Sequence, residues 1–516
     1  MLRQFTQTPP SVHLLLLVLI PLLRLPVFFG GYHVADEELT LLAAAQAAGE
    51  GKLYLDAWFA GPPLQVWLYQ AFYVVLGDHA LTALRICTML GLYLLAVHFN
   101  GFLARSKVIR RYEGLPAVVL VLFTCTPWHS LELSGELLAV WPLLVGFERL
   151  LSLTGEGRSQ QVLPMLFGGG VLAGMGILFS YKAVFLGAGL VLGLLILRTA
   201  NFAEVFALLS GLLVPLLGLL LVLYAQGNLA AYYSIGFEYY WQRVTLAGEA
   251  YYPYATLPTL QSVALCWLPL GLLALIGFFH YRTRFYSYVA RIRAIETSMA
   301  LWLVLGLLIM ALKLRRLDVS DFILLAPPLA FYASAALTFR WPRLLRLPGL
   351  AIGLTAMVLL YVSSYALPYP GLKTLLTVEE LPTWLGGRQS QWQALPETLT
   401  RPGGPQGEKL GSVWVLDHQP QWYRELGTVC PYPYLDFRMV YYKFPMLPGY
   451  DPAHGIASEP EGRIFETFAQ QPPALILDPE GHFSYLQARF PSLFEAYRPD
   501  PRQPFSVYWH PSLPLP

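Results

Sequence analysis

Residues 162–198 read VLPMLFGGGVLAGMGILFSYKAVFLGAGLVLGLLILR, and the only charges in that stretch are Lys182 and the closing Arg198. About 20 apolar residues suffice to cross the roughly 30 Å of hydrocarbon in a bilayer. The stretch therefore holds either one broken passage or two short helices, with the lysine at the break. A cation at that depth is costly, so it marks an ion pair or the path of a ligand. Neither use belongs to a soluble core.

Apolar runs of the same kind recur from residue 12 to residue 366. Their lengths predict helices over 12–30, 79–101, 115–127, 132–153, 162–180, 181–198, 203–224, 257–280, 297–313, 321–338 and 347–366, about eleven passages of an α-helical polytopic membrane protein. Composition agrees, with 56% hydrophobic and only 13% charged residues, against about 25% charged in a soluble chain. That balance excludes a soluble enzyme. Lys and Arg (34) nearly cancel Asp and Glu (32), so no net field recruits nucleic acid. The four cysteines are scattered and form neither a disulfide framework nor a metal knuckle. Residues 11–30 lack a small-x-small cleavage site and run straight into acids, which reads as a retained helix rather than a leader.

Orientation follows from the basic residues. With the N-terminus inside, the inner loops hold thirteen: Arg105, Lys107, Arg110, Arg111, Arg158, Arg198, Arg282, Arg284, Arg291, Arg293, Arg340, Arg343 and Arg346. Outside the tail, the outer face holds six: Lys52, Lys182, Arg243, Lys313, Arg315 and Arg316. That asymmetry places the C-terminus outside. The chain thus divides into a membrane domain, 1–367, with a first outer loop at 31–78, and a tail at 368–516. The tail is rich in Pro, Gly, Gln, Trp and Tyr. Its short apolar runs SVWVL (412–416) and ALIL (474–477) read as buried strands ending at Asp417 and Asp478. Helices are expected near 419–426, 461–470 and 482–490, and a closing strand at 505–509, which together make a small extracytoplasmic α/β domain.

The few outer-face charges are clustered. Asp36-Glu37-Glu38 follows the first helix. Next come Asp56, then Pro62-Pro63-Leu64 opening an aromatic run with Trp67. Glu136 lies near the outer end of the fourth helix, Lys182 at the break within 162–198, and Lys313, Arg315, Arg316, Asp318 and Asp321 between the ninth and tenth helices. Acids on one side and bases on the other suit a reaction that needs a carboxylate base and phosphate neutralisation. Each group has a plainer reading as well. Asp36 fits an N-cap with two dipole partners behind it. Glu136 fits a solvated helix start, the basic cluster a lipid-headgroup contact or a partner for Asp318 and Asp321, and the aromatic run an interfacial belt.

The order of these features resembles the GT-C membrane glycosyltransferases, in their protein mannosyltransferase-like branch, which includes the lipid A aminoarabinose transferases. The likeness is carried by ADEELTLLAAAQAAGEGKLYLDAWFAGPPLQVWLYQAFYVVLGDHALTALRI from residue 35, with its Asp36-Glu37, Gly49 to Asp56, Pro62 to Leu68 and Ala83 to Arg85. GMGILFSYKAVFL resembles the group's broken helix with a central lysine, here Lys182, although Ala183-Val184 stand where Gly-Pro is usual. KLRRLDVSDFILLAPPLAFYASA resembles its late basic segment without the usual tyrosine.

The resemblance implies a polyprenyl-phosphate-linked sugar as donor, a glycan, lipid or protein acceptor, and inverting transfer at the outer face of the inner (cytoplasmic) membrane. Asp36 and Glu37 would be catalytic. Lys182, Lys313, Arg315 and Arg316 would bind the donor phosphate, and Asp56, Glu136 and Trp67 would contact substrate. Some members use a divalent metal, which three adjacent acids permit without demonstrating. Two other readings stand beside transfer: a transporter or flippase of lipid-linked sugars, and a degenerate GT-C-like assembly subunit. A transporter should show paired broken helices in two halves, and only the break at Lys182 is present.

Overall fold

The computed structural model describes residues 8–28, 35–49, 51–105, 114–125, 133–153, 161–197, 201–238, 240–241, 267–268, 270–280, 290–312, 319–337, 412–416, 423, 430–432, 468, 470–478, 483–489, 491–499 and 506–510. In chain order the helices are α1 (Pro10–Arg24), α2 (Ala35–Ala48), α3 (Pro63–Leu76), α4 (Ala80–Arg105), α5 (Leu115–Cys125), α6 (Gly135–Ser152), α7 (Val162–Phe179) and α8 (Ala183–Leu197). There follow α9 (Phe202–Ala225), α10 (Leu270–His280), α11 (Ala290–Leu312), α12 (Val319–Ile323), α13 (Ala326–Leu337), α14 (Phe483–Arg489) and α15 (Pro491–Phe494). Four strands complete the set: β1 (Val413–Val415), β2 (Leu475–Asp478), β3 (Arg498–Pro499) and β4 (Ser506–Trp509). The chain forms two compact units. The first comprises Met1–Phe29, Thr82–Val222 and Tyr252–Leu381; the second comprises Gly30–Leu81, Leu223–Tyr251 and Pro382–Pro516.

The first unit is helix packed on helix. Among the described residues, four apolar helical runs are long enough to cross a membrane: Pro63–Arg105, Val162–Phe179, Phe202–Ala225 and Ile292–Leu312. The stretch 162–198 proves to be two helices separated by Ser180, Tyr181 and Lys182. They fold against each other, since a Cβ on Gly187 would sit 3.2 Å from Ile177 Cδ1. Small residues let backbones approach, as membrane helix pairs require when burial of apolar surface gives no preference over lipid. Gly146 of α6 faces the Gly169 carbonyl of α7, and Gly170 and Gly211 carry α7 onto α9. Trp302 of α11 is fully buried against Phe147 and donates its indole N–H to the Leu324 carbonyl at 2.7 Å. On the outside, α9 presents Phe206, Leu213, Leu217 and Leu221, an apolar face suited to lipid.

Two boundaries differ from the sequence expectation for physical reasons. The tenth helix, expected over 321–338, is α12, a turn at Leu324-Leu325, and α13. Pro327 and Pro328 lack the N–H that a continuous helix would need, and they fit the first turn of a new one. The first helix ends at Arg24 and passes into a 3₁₀ turn over Leu25–Phe28, which contains Pro26. The expected helix at 347–366 lies outside the described residues, as do most of 419–426 and 461–470.

The second unit contains α2 packed on α3 and the tail sheet. The sheet order is β1-β2-β4-β3, with β1 and β2 parallel and the other neighbours antiparallel. Strands β1 and β2 are buried throughout, as a near-continuous apolar run predicts. Asp478, at the end of β2, accepts a hydrogen bond from Phe483 N–H at 2.8 Å and so starts α14. That is the turn-forming role its position suggests.

Candidate active site

In the first unit the sequence-selected Lys182 and Glu136 meet. Ser134 caps α6, its hydroxyl accepting from Leu137 N–H at 3.2 Å, which puts Glu136 in the first turn where the helix dipole favours an acid. Lys182 closes the break after α7, and its ammonium donates to Glu136 Oε1 at 2.6 Å. On its other side it pairs with Asp321 of α12, which is fully buried. The Ser180 hydroxyl donates to the same Glu136 oxygen at 3.2 Å. One cation thus faces two carboxylates in a buried setting, with three separate pieces of chain drawn together. Asp321 is the member that sequence reasoning did not select as a site residue, because nothing local distinguishes it from its neighbour Asp318.

Among the described residues of this unit, two arginines are also buried. Arg24 ends α1 beside the Cys125 thiol, and Arg85 donates to the Val27 carbonyl of the adjoining 3₁₀ turn. A cation at the end of an apolar helix was the available signal for Arg24. The positive-inside count passed over it because it sits within a predicted passage. A separate cluster joins α4 to α6, where His98 Nε2 lies 2.8 Å from Glu148 and Arg105 pairs with the same carboxylate.

In the second unit, α2 begins at Ala35, so Asp36 lies within the first helical turn rather than at the preceding cap; its side chain is outside the described residues. Glu37 and Glu38 are both only 2% exposed. The following loop is tightly pinned. Asp56 is exposed and accepts from Lys52 N–H at 2.7 Å, closing a turn. Tyr54 is buried with φ at +72°, a left-handed conformation that is strained for a bulky residue. Its hydroxyl donates to Gly61 at 2.8 Å, and its ring meets Tyr232 edge-on at 5.2 Å. Burial holds the Tyr54 phenol well above the ordinary tyrosine range. Gly236 is required there, since a Cβ would fall 2.6 Å from the Tyr54 ring. Trp67 is half-buried on α3.

Lys313, Arg315 and Arg316 lie outside the described residues. Among the described residues, no three His, Cys, Asp or Glu side chains stand close enough together to hold a metal ion.

No family model and no curated protein matches the sequence. Solved structures do match. The fold is similar to ArnT from Cupriavidus metallidurans bound to undecaprenyl phosphate, with a TM-score of 0.58 at 14% identity, covering 97% of this chain and 98% of that one. It is similar to the same protein in the apo state, with a TM-score of 0.54, 14% identity and coverages of 96% and 97%. It is also similar to the archaeal oligosaccharyltransferase AglB from Archaeoglobus fulgidus in complex with an inhibitory peptide and a dolichol-phosphate. That match has a TM-score of 0.52 at 12% identity and covers 98% of this chain and 75% of that one. All are GT-C proteins, and the chain has the GT-C fold.

Proposed function

We propose that this protein is an inverting glycosyltransferase that moves a sugar from a polyprenyl-phosphate donor to an envelope glycan, lipid or protein at the outer face of the membrane. The observation that carries this reading is the acid-rich first turn of α2, two of whose glutamates are buried, in a chain that follows the GT-C fold nearly end to end. A hydroxyl is a weak nucleophile at neutral pH, and a positioned base contributes about 10² to 10⁴ in rate. Asp36 takes the acceptor proton as the acceptor oxygen bonds to the anomeric carbon from the side opposite the phosphate. Glu37 orients that acceptor. The bond from the anomeric carbon to the phosphate oxygen breaks, and polyprenyl phosphate leaves with the electron pair. Charge building on the phosphate needs fixed cations; Lys313, Arg315 and Arg316 fill that role. Lys182 is balanced by Glu136 and Asp321 and joins only by exchanging one carboxylate for the phosphate. We assign Asp56, Glu136 and Trp67 to contact with the substrates.

The test compares envelope glycans and polyprenyl-linked sugars by mass spectrometry in three strains: a deletion, its wild-type complement and an Asp36→Asn complement at matched protein level. The expected result is loss of one sugar from one acceptor in the deletion, accumulation of its lipid-linked donor, and recovery with wild type only. Full recovery with Asp36→Asn would overturn the assignment and return Asp36 to a helix-start role.

A further inference from the structure

The acid-bearing helix α2 has a second end, and it is held by the tail. Gln46 lies in its last turn, about two and a half turns from Glu37. Its Nε2 donates to the Cys430 carbonyl at 2.5 Å and to the Tyr432 carbonyl at 3.3 Å, across 384 and 386 residues of sequence. Both acceptors belong to a segment rooted in the core of the tail. The Tyr432 ring meets Trp414 of β1 edge-on at 5.2 Å and stacks on Phe468 at 5.7 Å, while its hydroxyl donates to the Gln471 carbonyl at 3.3 Å. Burial pushes the neighbouring Cys430 thiol up to about 11, so it stays neutral and packs as an apolar group. From the other side, Gln70 of α3 donates to the Ala47 carbonyl at 2.7 Å. Gly51 lets the loop pass so close that a Cβ there would lie 2.7 Å from the Gln46 carbonyl.

We infer that the tail sets the position of the α2 acids through Gln46, which makes Gln46 a positioning residue for transfer; this rests on the glycosyltransferase reading above. A helix of this length moves as a rod, so a displacement at Gln46 is delivered to Asp36 and Glu37. Misplacement of a catalytic group by about 1 Å costs on the order of 10²-fold in rate. The amide is also specific in polarity. Both of its contacts are donated to carbonyl oxygens, so a glutamate of the same shape would set a carboxylate against two acceptors.

The experiment uses the full-length chain with Gln46→Glu and Gln46→Ala, beside wild type and Asp36→Asn. Transfer is read as the product-to-donor ratio by mass spectrometry at matched protein level. Binding of undecaprenyl phosphate to the purified protein is read by native mass spectrometry, and hydrogen exchange over residues 35–48 and 430–432 is followed in the same samples. Gln46→Glu is expected to lower transfer about ten-fold or more while undecaprenyl phosphate binding stays within about two-fold, a split that general unfolding would not produce. Exchange should rise together at both ends of α2 and in 430–432. If Gln46→Glu does not accumulate as folded protein, Gln46→Ala decides by the same readouts. Wild-type transfer together with unchanged exchange over 35–48 overturns the inference. If Asp36→Asn also transfers like wild type, the role of Asp36 as base fails instead, and if wild type shows no transfer over the deletion, the transferase reading fails; in either case the exchange data still report whether the tail holds α2.

Discussion

Lys182 brings one positive charge to a buried place where Glu136 and Asp321 bring two negative ones. Removing the cation is therefore worse than removing either anion. Lys182→Met leaves two carboxylates without their counter-charge, and stranding a buried charge costs about 3–5 kcal/mol. Glu136→Gln or Asp321→Asn leaves a one-to-one pair and should cost about 1–2 kcal/mol, the price of a perturbed hydrogen bond. Adding both acid substitutions to Lys182→Met should recover most of the loss. Thermal unfolding of the detergent-purified variants gives the order directly, and a Lys182→Met protein as stable as Glu136→Gln would show that the ion pairs do not carry the site. Half of this constellation was legible in the sequence. An isolated lysine between apolar runs and an acid at a helix start stand out against their surroundings, whereas Asp321 sits among Lys313, Arg315, Arg316 and Asp318, where any pairing looks equally good. Only the packing of α12 against α6 chooses Lys182 for it.

The same contrast holds at the level of elements. Long apolar runs declared their helices, and the short buried strands of the tail were readable because each apolar run was closed by an aspartate. Less legible were the interruptions that proline and local geometry impose, such as the turn between α12 and α13. The faces on which helices meet were also hidden, because glycine is common in every apolar run. The structure separates glycines that matter from those that do not. A Cβ on Gly211 of α9 would collide with the Phe167 backbone of α7, while one on Gly218 of the same helix would meet nothing within 4 Å. Gly211→Ala should therefore destabilise by about 1–3 kcal/mol through overpacking. Gly218→Ala should be neutral or stabilise by about 0.4–1 kcal/mol, because alanine loses less backbone freedom on folding. Melting curves in one detergent test the pair, and equal effects at the two positions would mean that α7 and α9 are not in backbone contact.

For the molecule as a whole, the second unit imposes a rule on the number of membrane crossings. It collects Gly30–Leu81, Leu223–Tyr251 and Pro382–Pro516 into one compact body, stitched by Gln46 to 430–432, by Lys52 to Gln226 and by Asn228 to Leu53. If that body lies on one side of a bilayer, the chain crosses an even number of times between residues 82 and 222, and again between 252 and 381. Helices α4 to α9 satisfy the first condition if each is a passage. The second is satisfied if α10, α11, the α12–α13 pair and the helix expected at 347–366 are each a passage. Added to α1, this gives an odd total, the same parity that the distribution of Lys and Arg predicts. Two labels check it in one strain background. Lys52→Cys, at an exposed loop position, should react with a membrane-impermeant maleimide in intact spheroplasts. Alkaline phosphatase fused after Pro516 should be active, because it folds only outside the cytoplasm. Opposite sides for the two labels would break the parity and with it the single body. If both labels lie inside, the body is kept but inverted, and a site for outer-face transfer could not then be built on α2.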